Sequence, residues 1–304
     1  MSVATQRADL LASQPLREVN PPERFWSGAV FDWRMLWSRR ELWRELVARE
    51  IKSRYKESGL GLAWSLIRPL VQLLVYYLVI GRFLGASRSI PEFAIFVFTG
   101  LTLWGLINEI LVTGTQSILS NAGIVKKVQL PREIFPLATV GSALFNFVVQ
   151  FALLFVAAAL LSGIPMGRTL IYIPLALVVA VVWATALALV LSALNVYLRD
   201  VQYIVEVGLM LAFWASPILY QFRMVHSVGG GWLQEAYLVN PFSNAILAFQ
   251  RAIWGAPTQA GMPDPVYPSH LTTWLGVDIL VGLVALFLAQ RLFSRLQRNF
   301  AQEI

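Results

Sequence analysis

Six stretches of the chain, at about 63–83, 93–117, 134–161, 170–198, 201–219 and 272–293, are long apolar runs with few charges. An α-helix needs roughly 20 such residues to cross the hydrocarbon core of a bilayer. Inside that core every backbone N–H and C=O has to be satisfied within its own segment, so runs of this kind are predicted to be helical. Charge content agrees with this. Only 13% of the 304 residues are charged and 57% are hydrophobic, whereas soluble domains carry roughly 25% charged residues. The expected fold class is an all-α membrane protein with six transmembrane helices, its transmembrane domain filling residues 61–304.

The segments outside the spans differ in character. Residues 1–30 are polar, contain Pro15, Pro21 and Pro22, and read as a mobile tail rather than a signal peptide. Across 31–60, Trp33, Leu36, Trp43, Val47 and Ile51 recur at roughly helical spacing, and Leu42 and Leu46 widen the stripe. Arg39, Arg40, Arg44 and Arg54 occupy much of the opposite side. A helix of that kind suits the membrane interface, although one packed on a soluble domain carries the same pattern. Between the last two spans, Asn240 is placed as an N-cap and Pro241 at the first helical position. The helix they start, Pro241–Trp254, has about 14 residues, too few to cross a bilayer. With Phe242, Ile246, Phe249 and Ile253 on one stripe, it is expected to dip into or rest on the outer leaflet.

Charge distribution sets the expected orientation. Eighteen of the 24 Lys and Arg fall in the tail and in alternate loops, which places both termini in the cytoplasm. The net charge of +7 thus meets anionic lipid head groups, and no nucleic acid is expected. With no cysteine and only His226 and His270, the chain has no thiolate or His-rich metal site. It has no GxxxxGK[ST] sequence, since none of its four lysines follows a glycine. Any uphill transport must therefore draw on a partner or an ion gradient. No internal repeat argues for an inverted-repeat transporter.

The loop Asn121–Pro136, NAGIVKKVQLPREIFP, is basic, and Pro131 and Pro136 break it. Ile124, Val125 and Val128 lie at helical spacing, enough for about two turns before Pro131. A short helix there can be the handle by which a soluble partner moves the spans. It fits equally a basic turn that only sets topology.

Four groups of residues stand in order along the chain. The first two are Arg49-Glu50-Ile51-Lys52 with Arg54-Tyr55-Lys56, Leu60-Gly61, Trp64 and Pro69, then Lys127-Val128 with Leu130-Pro131-Arg132-Glu133-Ile134 and Pro136. Asn195-Val196-Tyr197 with Arg199-Asp200-Val201, Phe213-Trp214, Ser216-Pro217-Ile218 and Tyr220 follows, and Asn240-Pro241 with Phe249 and Arg251 closes the series. Together they resemble the permease subunit of ABC-2-type exporters of O-antigen, teichoic acid and capsule. The resemblance implies a homodimer in a bacterial inner or plasma membrane, bound to two copies of a separate ABC ATPase that holds ATP and Mg. It also implies that Ile124, Val125, Lys126, Lys127, Val128, Arg132 and Glu133 couple this chain to the ATPase. The pore would lie at the dimer interface and carry a polyprenyl-linked polysaccharide outward.

A sugar chain presents apolar C–H faces to aromatic rings and hydroxyls to polar groups. Tyr76, Tyr77, Phe98, Trp104, Phe213, Trp214 and Tyr220 are candidate pore residues on that ground, about half of them facing the pore. Membrane-interface belts use the same residue types. Arg68, in the first span with Arg54 and Lys56 nearby, is placed to meet a lipid pyrophosphate, or else it snorkels to lipid phosphates. Glu109, Glu206 and Asp278 are the acids in or near spans that a proton relay would need. Other readings are an ABC-2 exporter of a small lipid or drug, and a membrane glycosyltransferase. The latter lacks a DxD-like site, as the long outer segment offers only Glu235 and Asp264.

Overall fold

A helix that is apolar on every side has to be enclosed by protein or by lipid. The helices of this protein divide along that line in the computed structural model. It describes residues 38–55, 61, 63–127, 130–161, 163, 167–255, 267–268 and 270–303. The expected tail, Trp33, Leu36, Lys56 and Val128 lie outside the described residues. In order come α1 (Arg40–Tyr55), α2 (Ala63–Tyr76, continued by a π-helical stretch Tyr77–Phe83), α3 (Phe93–Ser120), α4 (Ala122–Lys127) and α5 (Ile134–Leu161). Then follow α6 (Tyr172–Tyr197, after a 3-10 turn Arg168–Ile171), α7 (Val201–Trp214), α8 (Arg223–Leu238) and α9 (Pro241–Gln250, with a π-turn Arg251–Gly255). The last two are α10 (Leu271–Leu296) and α11 (Phe300–Glu303).

Five helical segments are long and apolar enough to cross a membrane: Ala63–Phe83, Phe93–Ser120, Ile134–Leu161, Arg168–Tyr197 and Leu271–Asn299. The expected fifth span, 201–219, differs. Its helix α7 has 14 residues and stops at Trp214. Pro217 disfavours helical geometry at Ser216 before it and cannot donate to the ladder. Residues 216–222 instead form a largely buried turn, held by Gln250 Nε2 donating to the Pro217 carbonyl at 2.8 Å.

Of the five, α3 is the most enclosed, and it packs against α5, α6, α7 and α9. Lipid supplies no hydrophobic drive for one apolar helix to join another, so close backbone approach matters most. At Gly114 a Cβ would stand 2.8 Å from the Ala188 Cβ of α6, and only glycine allows that crossing. Three of the buried hydroxyls on α3 are satisfied within the helix. Thr99, Thr102 and Thr115 each donate to the carbonyl four residues back, at 2.7, 2.8 and 2.6 Å. By contrast α2 buries no residue, and Val71, Leu74 and Val75 point outward with Ile204, Val207 and Leu211 of α7.

Helix α9 corrects an expectation. Asn240 caps it as foreseen, accepting from the Phe242 N–H at 3.1 Å, and Pro241 is its first residue. Yet every residue from Ser243 to Gln250 is buried, between α3, α6 and α10, so the helix does not rest on a leaflet. Its polar side chains show why. Asn244 Nδ2 donates to the Leu238 carbonyl at 2.7 Å and to Asp278 Oδ2 of α10 at 2.8 Å, bonds that lipid could not supply.

Candidate functional site

Three neighbouring helices, α2, α3 and α7, leave a cavity of about 530 Å³ between them. Each contributes one face at helical spacing: Gln72 and Tyr76 from α2, Trp104 and Asn108 from α3, Glu206 and Phe213 from α7. Phe213 organises the aromatic wall. Its ring stacks on Tyr76 (centroids 5.9 Å apart, planes at 23°) and meets Trp104 and Trp214 edge-on at 5.8 and 5.7 Å. Phe213 itself is only 8% exposed, whereas Trp214 is 57% exposed.

Of the seven aromatic candidates, Tyr76, Trp104, Phe213 and Trp214 line this cavity. The other three lie elsewhere. Phe98 is 1% exposed in the core, a place that the apolar surroundings of α3 dictate. Tyr77 carries the Arg82 guanidinium 5.5 Å from its ring centroid. The Tyr220 hydroxyl donates to the Trp214 carbonyl at 3.0 Å and lies 3.0 Å from the Tyr237 hydroxyl, so it braces the turn after α7. Gln72, Asn108 and Glu206 line the cavity without having been foreseen in that role. Spacing held the signal: Gln72 is one turn from Tyr76, Asn108 one turn from Trp104, and Glu206 two turns from Phe213.

The loop after α3 makes a second locus. Helix α4 is six residues long, close to the expected two turns. Val125 is buried and Ile124 half-buried in a cluster with Leu46, Phe135 and Phe293, while Lys126 and Lys127 are exposed. Arg132 and Glu133, placed with them as partner-facing, turn inward instead. Glu133 is 2% exposed and accepts from Ser294 Oγ at 2.9 Å and Gln290 Nε2 at 3.5 Å, both on α10. Arg132 donates to the Gln297 carbonyl and stands 5.7 Å from the Phe300 ring centroid. Burial holds the Arg132 pKa below its ordinary value. The loop is thus knotted to the end of α10.

Helix α1 is a third. Its described stripe faces protein: Leu46 is buried, and Leu42, Trp43 and Val47 pack on the cluster around Phe135 and Ala138 of α5. Trp43 Nε1 donates to the Leu137 carbonyl at 2.9 Å. Arg54 forms an ion pair with Glu109 of α3, and Asn146 Nδ2 of α5 donates to the same carboxylate oxygen at 2.8 Å. Arg54 is therefore not grouped with Arg68, which is exposed on α2 with its guanidinium 6.0 Å from the Trp64 ring centroid. Glu109, Glu206 and Asp278 keep different company, and no hydrogen bond joins any two of them among the described residues.

Residues 41–254 match the family described as ABC-2 type transporter. Two similar proteins carry the name O-antigen export system permease protein RfbA. One, from Myxococcus xanthus, is 28% identical over 271 residues, 89% of this chain and 98% of that protein. Another, from Klebsiella pneumoniae, is 27% identical over 254 residues, 84% of this chain and 91% of its own length.

Proposed function

The chain belongs to the ABC-2 type transporter family, and from that premise we propose that it is the permease subunit of an ATP-driven exporter of a polyprenyl-linked polysaccharide. Similarity along most of its length to permeases named for O-antigen export supports that cargo. The structural observation that carries it is the cavity between α2, α3 and α7. Trp214, which is open, and Tyr76, which is half-buried, offer ring faces to sugar C–H groups with Trp104 and Phe213 packed behind them, and Gln72, Asn108 and Glu206 offer partners to hydroxyls. Many weak contacts of this sort suit a polymer that has to keep moving.

The chain does no ATP chemistry itself. ATP and Mg bind a separate ABC ATPase, two copies of which sit on a homodimer of this chain. With both termini in the cytoplasm, the 121–133 loop and α1 face the ATPase. Lys126 and Lys127 are the exposed charges of α4, so they take the contact with that subunit. Glu133 and Arg132 pass its motion to α10 as one rigid body. The outward apolar faces of α2 and α7 border the cavity, which supports a reading in which they meet a second copy, with the conduit between protomers. Arg68, exposed on α2 one turn before Gln72, meets the lipid pyrophosphate.

The test is reconstitution in vesicles. With the ATPase subunit, ATP should drive a lipid-linked glycan across the membrane; the chain alone should neither hydrolyse ATP nor move glycan. Vigorous transport in vesicles that lack the ATPase would overturn the assignment.

A further inference from the structure

The chain carries a net charge of +7, yet its cavity has the opposite sign. Of the described residues that line it, Glu206 is the one acid, and no Lys, Arg or His is among them. The Glu206 side chain is exposed to the cavity and has no ion-pair or hydrogen-bond partner among the described residues. Its two fellow acids near spans are neutralised or engaged, Glu109 by Arg54 and Asp278 by Asn244. Arg68, one turn before Gln72, is not part of the lining and keeps company with Trp64.

An unpaired carboxylate in a cavity with low-dielectric walls acts on whatever passes. At an effective dielectric of about 40, between that of a protein surface and water, a monovalent anion about 6 Å away is disfavoured about tenfold. The remaining polar groups, the Gln72 and Asn108 amides, serve hydroxyls without preference for charge. The rings of Tyr76 and Trp214 add faces that suit neutral sugars and, through their quadrupoles, cations.

We propose that this cavity selects cargo by charge, with Glu206 as the specificity-determining residue. It admits glycan segments that are neutral or bear amino groups and opposes those that bear phosphodiester or uronate units. This rests on the glycan-exporter reading above and narrows its substrate class. A pyrophosphate-linked lipid remains compatible, because Arg68 lies outside the cavity lining.

The absence of native cysteine makes a direct test possible. Asn108→Cys places one thiol in the cavity, and Gln72→Cys places one in the lining from α2 in case the first variant does not fold. The full chain with its ATPase subunit, in nanodiscs, is treated with trimethylammonium-bearing and sulfonate-bearing methanethiosulfonates. Each rate is normalised to that of a small free thiol. The cationic reagent should be favoured about tenfold or more. Glu206→Gln should bring the ratio close to one, and Glu206→Lys should reverse it. A ratio indifferent to residue 206, or a thiol that neither reagent reaches at either position, overturns the proposal. In ATP-driven vesicles, Glu206→Lys should also shift export from a neutral lipid-linked glycan toward one with phosphodiester units. Failure of the unsubstituted complex to move either glycan counts against the exporter assignment and leaves the thiol ratios standing. Unaltered thiol ratios with robust export do the reverse.

Discussion

Arg54 of α1 and Glu109 of α3 are 55 positions apart in sequence and form an ion pair. Neither is a surface group, with side-chain exposures of 26% and 18%. Asn146 donates to the same Glu109 oxygen at 2.8 Å, and Arg54 also reaches Ser142 Oγ at 3.4 Å. The pair therefore ties α1 to two spans at once. A force that displaces α1 has to break it or move α3 and α5 with it.

Removing both partners should cost less than the two single removals added together. Glu109→Gln leaves a half-buried guanidinium without its anion, an expected loss of about 2 kcal/mol. Arg54→Gln should cost a similar amount, and the double variant clearly less than the sum. Thermal unfolding of the four proteins in detergent checks this. Simple additivity of the two single losses would show that the contact contributes nothing of its own.

Sequence made much of this architecture legible because spanning a bilayer restricts the choices. The limits of Ala63–Phe83 and Ile134–Leu161 follow from apolar length alone. The N-cap of α9 follows from Asn240-Pro241. What length cannot show is which partner covers an apolar stripe. The stripe of α1 suited lipid or protein equally, and only the carbonyl of Leu137 and the missing side chain of Gly141 decide for protein. Helix α9 was misplaced for the same reason, since Ser243, Asn244 and Gln250 interrupt an otherwise lipid-compatible face. Local charge was equally ambiguous in the loop. Sequence marks Lys126, Lys127, Arg132 and Glu133 only as charged, but two face out and two turn toward the end of α10.

Gly141 is the contact point at which α1 docks. A Cβ there would stand 2.7 Å from Val47 Cγ2 and 2.9 Å from Trp43 Cζ2. Trp43 is tethered by its hydrogen bond to Leu137 and Val47 is stiff at χ1, so neither yields easily. Gly141→Ala should weaken docking by about 1–3 kcal/mol. Amide exchange should then rise across α1 and stay unchanged within α3, and adding Val47→Ala should recover part of the loss. Unaltered exchange in α1 would mean that the helices already have slack.

The two sides of the 121–133 loop should respond differently to substitution. Lys127→Glu alters an exposed charge, so the unfolding temperature should hold while ATP-driven export falls at least tenfold. Glu133→Ala removes the acceptor of Ser294 inside the protein, so about 2 kcal/mol of stability should be lost along with export. Measuring unfolding and export on the same preparations separates the two. If Lys127→Glu exports normally, α4 is not the ATPase contact.

Phe213 and Trp214 are adjacent in sequence and opposite in consequence. Phe213 touches Tyr76, Trp104 and Trp214 and is nearly enclosed, so Phe213→Ala empties the centre of the aromatic wall. Loss of a buried Phe typically costs about 3–5 kcal/mol, and some of that should appear as a lower unfolding temperature. Trp214 is largely open, and its ring packs on Phe213 alone among the described aromatic contacts. Trp214→Ala should leave the unfolding temperature within about a degree, because surface truncations usually change stability by less than about 0.5 kcal/mol. In the proposed conduit it removes one aromatic face from the path of the sugar chain, so export should slow more for long glycans than for short ones. Equal slowing at every length would place Trp214 at a gate crossed once, and no slowing would place it against lipid.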